Sequence, residues 1–447
     1  MALALRLLTL GGPLSHDEGY SWLVASAPSG HAFLGRLAAY ENTPPLFYLL
    51  LRPLPLDAAW SLRLPALVPG VLVVAGTWAA LRGRAGDGPA LLGALTLAVL
   101  PYEVSFSDYS RGFELAQLGL VLALWAALAL ATGGRRRWWW LWIAGGVIAV
   151  WSEYVAALAL AGLAAGLFVV IAGPRRREVL LLAAAPVVTL AAWLPEMLRG
   201  FDALDVTKAA PVYPSPSPGQ LRDVAAILAF GEHGAAGSSP VRWVQAALVA
   251  GVLVAAAVAA RRTAATRGPA TLLLVALAVA VVGHALCALA GPDVFAQRYL
   301  TGLLPLGAAL LALGARAAKP RVRIALLALL VAAGVAVGVQ RAGTTYEPSF
   351  APVRALVARA RPATVLTNSA VAVFELHGLH PVLDRPLGLG AGREARCPRP
   401  CLIVEDTRVA SSPRPGPGPR AQLGPWLVRQ AIDSTAARRR RAAPSGR

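Results

Sequence analysis

The chain has 447 residues, of which 57% are hydrophobic and 15% are charged. Soluble domains are about one quarter charged, so this composition, with a mean hydropathy of +0.59, excludes an ordinary water-soluble fold. The net charge of +19 does not indicate a nucleic-acid-binding protein, because the basic residues form short runs between apolar blocks. That pattern is typical of the loops of multi-pass membrane proteins.

Apolar blocks of about 20 residues follow one another along the chain, and each is long enough to cross about 30 Å of hydrocarbon. The first apolar stretch, residues 1–10, is too short to span a membrane, and both an interfacial stub and a start further upstream fit it. Spans are predicted at residues 62–81, 89–102, 115–131, 138–151, 155–172, 179–194, 241–260, 270–290, 299–313 and 324–339. The sequence thus predicts an all-α polytopic membrane protein of about 10–11 transmembrane helices.

The basic residues predict which loops are cytoplasmic. The loops after residues 81, 131, 172, 260 and 313 carry two to four Lys or Arg, whereas most acids lie in the alternate loops, Glu103 and Glu153 among them. By the positive-inside rule the acidic loops are extracytoplasmic. We therefore expect a transmembrane catalytic domain at residues 1–340 of a cell-membrane protein, with outer loops at 13–61 and 200–240. The second loop contains an amphipathic helix pattern at 221–228, which is typical of a helix on the membrane surface.

The last hundred residues change character. A helical pattern at 353–360 and strand-like runs at 364–367 and 402–405 predict a small extracytoplasmic α/β domain at residues 341–432. A Pro-Gly linker covers 414–419, and residues 433–447 form a basic tail that we expect to be disordered. Cys397 and Cys401 flank Pro-Arg-Pro, and a disulfide between them is left open, since it depends on an oxidising compartment.

Polar side chains recur at the outer ends of several predicted spans. A charge near the membrane midplane costs about 2.5–3.5 kcal/mol, so charges retained there need a reason. Each cluster taken alone fits a solvated interfacial loop, but five at one membrane level favour a shared outward cavity. Asp108 and Arg111 are three positions apart, so on a helix they would share a face and pair with each other. The five clusters are His16-Asp17-Glu18, Glu41-Asn42, Asp108 with Arg111 and Glu114, Glu153-Tyr154, and Gln297-Arg298-Tyr299.

The same clusters resemble, in order and spacing over about 300 residues, the motifs of GT-C glycosyltransferases. This superfamily includes the protein O-mannosyltransferases and the lipid A aminoarabinose transferase (the glycosyltransferase family 39-like group). Its first outer loop carries an Asp-Glu motif, followed by a His-Pro-Pro-Leu-Tyr segment, an Arg-containing segment, a His-Tyr pair and a late Arg-Tyr motif. The matching segments are His16-Asp17-Glu18-Gly19-Tyr20, Thr43-Pro44-Pro45-Leu46-Phe47-Tyr48, Ser107-Asp108-Tyr109-Ser110-Arg111, Glu153-Tyr154 and Gln297-Arg298-Tyr299.

The resemblance implies an enzyme that passes a sugar, hexosyl or pentosyl, from a polyprenyl-phosphate donor to an acceptor on the outer face. It implies Asp17 as the general base, with Glu18 as the less favoured alternative or as a group that orients Asp17. Arg298, and after it Arg111, would bind the donor phosphate. The remaining candidates line the substrate pocket: Glu41, Asp108, Glu153, Tyr154, Tyr299 and Tyr20.

The departures from the family motifs bear on the substrate and on any metal. Thr43 and Glu153 stand where the family has His. No metal ligands are assigned, although a divalent ion held by carboxylates in the two outer-loop motifs stays open as a cofactor. The expected partners are the lipid-linked donor, membrane lipid, and a glycan, protein or lipid acceptor, without nucleic acid. Two other functions are kept: a transporter or flippase of lipid-linked sugars, and a non-catalytic partner in cell-envelope assembly.

Overall fold

The computed structural model describes residues 1–8, 10–41, 43–173, 175–204, 217–234, 239–289, 297–343, 350–360, 364–367, 369–376, 401–406, 420–423 and 426–430. Helices dominate these residues, and short 3-10 helices cover Thr189–Trp193 and Gln297–Leu303. The α-helices are α1 Ala2–Leu7, α2 His16–Ala25, α3 Gly30–Tyr40, α4 Leu46–Leu51, α5 Ala59–Ala85, α6 Asp87–Val99, α7 Pro101–Ser107, α8 Phe113–Ala131, α9 Trp138–Ser152, α10 Ala156–Val170, α11 Arg175–Leu182, α12 Ala185–Val188, α13 Leu194–Leu204, α14 Pro218–Gly234, α15 Ser239–Arg261, α16 Ala264–Leu289, α17 Leu304–Ala315, α18 Pro320–Gly343, α19 Ala351–Ala360 and α20 Ala370–Leu376. The strands are β1 Thr364–Thr367, β2 Cys401–Asp406, β3 Arg420–Leu423 and β4 Trp426–Gln430.

The chain divides into two compact units. The first consists of Met1–Leu10 and Leu37–Thr344, and the second of Gly11–Arg36 and Thr345–Arg447. The first outer loop expected from the sequence is thus split, because its early part, which contains α2, clusters with the C-terminal residues.

The first unit is a multi-pass membrane bundle, as the apolar blocks predict. Within the described residues, seven helical segments are long and apolar enough to cross a membrane, and α6 with α7 makes an eighth if the bent pair is one span. Two shorter apolar helices, α9 and α10, accompany them, and the predicted total of ten or eleven stays a prediction. The seven segments are Ala59–Ala85, Phe113–Ala131, Arg175–Arg199, Pro240–Arg261, Ala264–Leu289, Arg298–Ala315 and Pro320–Arg341.

Helix α8 lies at the centre of the bundle, where its side chains are mostly buried. It meets α9 backbone to backbone: a Cβ atom on Gly119 would lie 2.4 Å from the Gly145 carbonyl oxygen, and a Cβ atom on Gly145 would lie 2.6 Å from that of Gly119. Small residues allow such close helix approach in membranes, where van der Waals contact drives association. Any larger side chain at either position would push the two helices apart.

A bend of 65° separates α6 from α7. Pro101 begins α7, where its missing N–H costs nothing, and it holds Leu100 out of the helical region at ψ 120°. The bend turns Glu103 into the protein, where it is fully buried. The acidic pattern predicts Glu103 in an outer loop, but Glu103 lies in a helix because the helix resumes after the proline. Its extracytoplasmic side stays a prediction.

The segment expected as a long outer loop at 200–240 contains helix on both sides of residues that the structure does not describe. Helix α13 ends at Leu204, and α14 covers the whole amphipathic pattern at 221–228, so that helix is confirmed. Asp223 of α14 forms an ion pair with Arg242 of α15 at 3.2 Å. The position of α14 on the membrane surface stays a prediction.

The second unit contains α2, the first part of α3, α19, α20 and a four-stranded sheet of order β1-β2-β4-β3. Strands β1 and β2 are parallel, and the other neighbours are antiparallel. Val353, Val365, Val404 and Trp426 form its core. Helix α2 packs on α20, with the Trp22 ring edge-on to Phe374 at 5.6 Å between centroids. The predicted linker at 414–419, the tail at 433–447 and Cys397 lie outside the described residues.

Candidate functional site

A partly buried ion pair joins two of the sequence motifs in the first unit. Arg111, in the turn between α7 and α8, pairs with Glu41, and its Nη1 donates a hydrogen bond to the Tyr48 hydroxyl at 3.2 Å. The Tyr48 hydroxyl and Thr43 Oγ1 share a further hydrogen bond of 3.0 Å. Glu41 is 6% exposed and Tyr48 is 1% exposed. The alternative of a solvated interfacial Glu41 was therefore wrong.

The turn that carries Arg111 packs against the end of α9. A Cβ atom on Gly112 would lie 2.5 Å from the Ser152 carbonyl oxygen, so only glycine permits this contact. The contact brings Arg111 into electrostatic range of Glu153, which also feels Arg298 and Glu41. Burial raises the pKa of Glu153 to about 7, against the opposing effect of the two guanidinium groups. Both protonation states of Glu153 are therefore populated near neutral pH.

Glu153 also lines a small recess between α8, α10, α16 and the 3-10 helix Gln297–Leu303. Its polar lining includes Gln117, Glu153, His284 and Arg298. The Arg298 guanidinium carbon lies 4.9 Å from the centroid of the Tyr299 ring, in a cation–π contact. The recess thus combines an apolar wall with a cationic group and a carboxyl group.

His284 ties the 3-10 helix to α16. Its Nε2 lies 3.2 Å from the Tyr299 carbonyl oxygen, and its Nδ1 lies 2.8 Å from that of Ala280. These contacts fix the backbone next to Arg298. His284 and Gln117 were not among the site residues predicted from the sequence. Each is a lone polar side chain inside an apolar span, and this sequence feature could have identified them, because polar residues inside membrane spans are often functional.

Asp108 does not share a helical face with Arg111. Residues 108–112 form a turn, so the periodicity on which that expectation rested does not apply. Asp108 instead forms an ion pair with Arg341 of α18, and Arg341 Nη1 donates to Ser105 Oγ at 2.9 Å. The two side chains are 8% and 3% exposed. The Arg341 guanidinium therefore balances the charge of the Asp108 carboxylate, and no substrate group is needed to do so.

The candidates Asp17, Glu18 and Tyr20 belong to the second unit. Ser15 caps α2: its Oγ accepts a hydrogen bond from the Glu18 N–H at 3.3 Å, and its own N–H donates to Glu18 Oε2 at 2.9 Å. This reciprocal arrangement is a capping box, and it gives the buried Glu18 a structural role. Asp17 lies in the first turn of α2 and is half-buried.

Two further observations concern the pocket and metal candidates. The Tyr154 hydroxyl accepts a hydrogen bond from Trp193 Nε1 at 2.9 Å. Nowhere in the described part of the chain do three His, Cys, Asp or Glu side chains form a group that could hold a metal ion. The Glu41 carboxylate, which belongs to one of the two outer-loop motifs, already forms an ion pair with Arg111.

The ionisation of Glu153 predicts a pH dependence of stability. Its pKa of about 7 lies above the value of about 4.3 for an unfolded chain, so the folded state binds more protons between these values and stability falls as pH rises through this window. We expect Glu153→Gln, which cannot ionise, to unfold at a higher temperature than the parent at about pH 8, with the difference shrinking toward about pH 4.5. Thermal unfolding in detergent measures this. A difference of the same size at both ends of the window would contradict the assignment.

No family model and no curated protein sequence matches the chain. Among solved structures, the chain is similar to ArnT from Cupriavidus metallidurans in the apo state, with a TM-score of 0.64 over 96% of both chains. The chain has the fold of ArnT. The resemblance to the aminoarabinose transferase group that the motifs predicted is thereby confirmed at the level of fold. Sequence identity to this ArnT structure is 14%, so the likeness carries the fold alone.

A second structure of the same ArnT, bound to undecaprenyl phosphate, also matches the chain. Its TM-score is 0.47 and its identity is 16%, over 97% of each chain.

Proposed function

We propose that this chain is a membrane glycosyltransferase that passes a sugar from a polyprenyl-phosphate donor to an acceptor hydroxyl on the outer face of the membrane. The observation that carries the proposal is the convergence of Arg111 and Arg298 on Glu153, beside a recess with apolar walls. Two guanidinium groups at a low-dielectric site suit a phosphate, which accepts paired charge-assisted hydrogen bonds. The fold, which matches ArnT, supports the same reading.

In the proposed reaction the acceptor oxygen attacks the anomeric carbon, and the bond from that carbon to the phosphate oxygen breaks. The lipid phosphate leaves with the electron pair, and Arg298 stabilises its charge. Asp17 takes the proton of the acceptor hydroxyl as general base. We propose further that Glu41, Glu153, Tyr154 and Tyr299 contribute to a substrate pocket in the first unit. Tyr20, in the second unit, is proposed to take part in substrate binding, and the C-terminal α/β unit is proposed to be extracytoplasmic.

The proposal predicts transfer in proteoliposomes from at least one radiolabelled polyprenyl-phosphate sugar of a panel of hexosyl and pentosyl donors. We expect Arg298→Lys to lower kcat/KM by about 10²–10³-fold, because an ammonium group does not reproduce the bidentate geometry of a guanidinium. Arg199→Ala serves as a control, since Arg199 is 68% exposed and pairs with Glu196 in its own helix. Equal transfer by the parent and Arg298→Lys would remove Arg298 from the donor site.

Transport of a lipid-linked sugar is the second candidate, and one observation favours it. Glu103 and Glu114 are fully buried inside the bundle, and intramembrane carboxyl groups are a recurring feature of transporters. Movement of a fluorescent lipid-linked sugar across the proteoliposome membrane, without transfer of the sugar to any acceptor, would favour transport over the transferase.

A further inference from the structure

A second cluster of polar side chains lies inside the first unit. Arg6 comes from α1, Glu103 and Ser107 from α7, and Glu114 and Gln117 from α8. All five side chains are at most 1% exposed. The helices that carry them belong to the membrane bundle, where every buried charge needs a compensating partner.

The cluster is tightly packed. Arg6 Nε donates to Ser107 Oγ at 2.8 Å, and Ser107 Oγ donates to the Glu103 carbonyl oxygen at 2.9 Å. Gly70 of α5 lies directly against it, since a Cβ atom there would be 2.3 Å from Ser107 Oγ and 3.1 Å from Glu114 Oε2. The Glu103 carboxyl group faces both Glu114 and the Gln117 amide. The two carboxyl groups are therefore neighbours in a space that a single added methyl group would overfill.

The carboxyl oxygens have few donors in reach, namely the Gln117 amide beside Glu103 and the Ser107 hydroxyl beside Glu114. Within the described residues, none of the four carboxyl oxygens of Glu103 and Glu114 has a hydrogen-bond partner of ordinary geometry. An ionised carboxylate only accepts hydrogen bonds, so two that face each other cannot bond. A proton on one of them supplies the missing donor and creates a short O–H···O⁻ contact.

The net charge of the cluster also indicates one bound proton. Two ionised carboxylates and the Arg6 guanidinium leave a net charge of −1 in a fully buried place. The other charged groups in electrostatic range of Arg6 are Asp108 and Arg341, which form an ion pair with each other and sum to zero. One added proton makes the cluster neutral, whereas a divalent metal ion would leave it at +1.

We propose that Glu103 and Glu114 bind one proton between them, as a buried acid pair whose remaining negative charge is balanced by Arg6. Gln117 places this proton site beside the recess, because Gln117 faces Glu103 and also lines the recess with Arg298 and Glu153. The site does not depend on which reaction the recess supports, and it holds for a transferase and for a transporter alike.

Infrared spectroscopy of the purified full chain at neutral pH tests the proposal, because the C=O stretch of a protonated carboxyl group is separate from that of a carboxylate and shifts in D₂O. Relative to the parent, we expect Glu114→Gln to lose one protonated carboxyl group, since the remaining Glu103 is ionised beside Arg6. We expect Arg6→Gln to gain one, since both carboxyl groups are then protonated. Arg6→Gln combined with Glu114→Gln should match the parent, and it keeps the test decisive if Arg6→Gln alone does not fold.

Glu196→Gln is the matched control, because Glu196 pairs with Arg199 outside the cluster and its loss should leave the protonated-carboxyl signal unchanged. A Glu114→Gln spectrum with the same signal as the parent would overturn the proposal. It would also be overturned if the signal were present only in sodium-free buffer, since the ligand between the carboxylates would then be a metal cation.

Discussion

Asp17→Asn is expected to lower sugar transfer by about 10²–10⁴-fold, the usual contribution of a general base. The amide is nearly isosteric with the carboxylate but does not accept the proton of the acceptor hydroxyl. Since Asp17 is half-buried in the first turn of a helix capped by Ser15, the fold should tolerate the change. Single-turnover transfer in proteoliposomes, at matched protein density, measures the chemical step directly.

Asp57→Asn provides the matched control, because Asp57 is exposed and carries the same chemical change. The donor affinity of Asp17→Asn should stay close to that of the parent, since the phosphate site is assigned to Arg298 and Arg111. Undiminished transfer by Asp17→Asn would remove Asp17 as the base and direct attention to Glu41 and Glu153, which are carboxyl groups of the first unit.

Arg341→Ala is expected to destabilise the protein by about 3–5 kcal/mol, the usual cost of leaving one partner of a buried ion pair uncompensated. Arg341 is 3% exposed and Asp108 is 8% exposed, so water cannot replace the lost guanidinium. We expect a large fall in the thermal unfolding midpoint in detergent and a lower yield of folded protein.

The double variant Asp108→Ala with Arg341→Leu separates the lost ion pair from a role of Asp108 in the substrate pocket. Replacing both charges with apolar groups removes the uncompensated carboxylate, and such replacements are often neutral or stabilising by about 1–4 kcal/mol. Recovered stability with full transfer would take Asp108 out of the pocket. Recovered stability without sugar transfer would indicate that Asp108 does contribute to the substrate pocket.

The membrane bundle could be predicted from the sequence because the span length is a local property. An apolar block such as the one within α8 can be recognised from its own composition, whatever helices pack around it. The resemblance to the GT-C fold could also be predicted from the sequence, because the outer-loop motifs keep their order along the chain. The motifs named Glu41, Arg111, Glu153 and Arg298, and the structure places all four in the first unit.

The pairings within the site could not be predicted from the sequence. Arg111 has Asp108 three positions before it, but its partner is Glu41, 70 residues away, and the partner of Asp108 is Arg341, 233 residues away. Helical spacing does not relate Asp108 to Arg111, because the chain forms a turn there. Likewise, Pro101 is visible in the sequence, but the direction of the bend, which buries Glu103, depends on packing among several helices.

The contact between Gly119 and Gly145 bears on the order in which the chain assembles during synthesis. Helices α8 and α9 are consecutive, so this hairpin can form as soon as both have left the ribosome, and contacts of low sequence separation form fastest. Arg341 is synthesised 233 residues after Asp108. Until then Asp108 lies in the nascent bundle without its counterion. Chains released before that point should be recognised as unfinished, and we expect membrane proteases to degrade versions truncated before α18 faster than the full chain in a pulse–chase experiment.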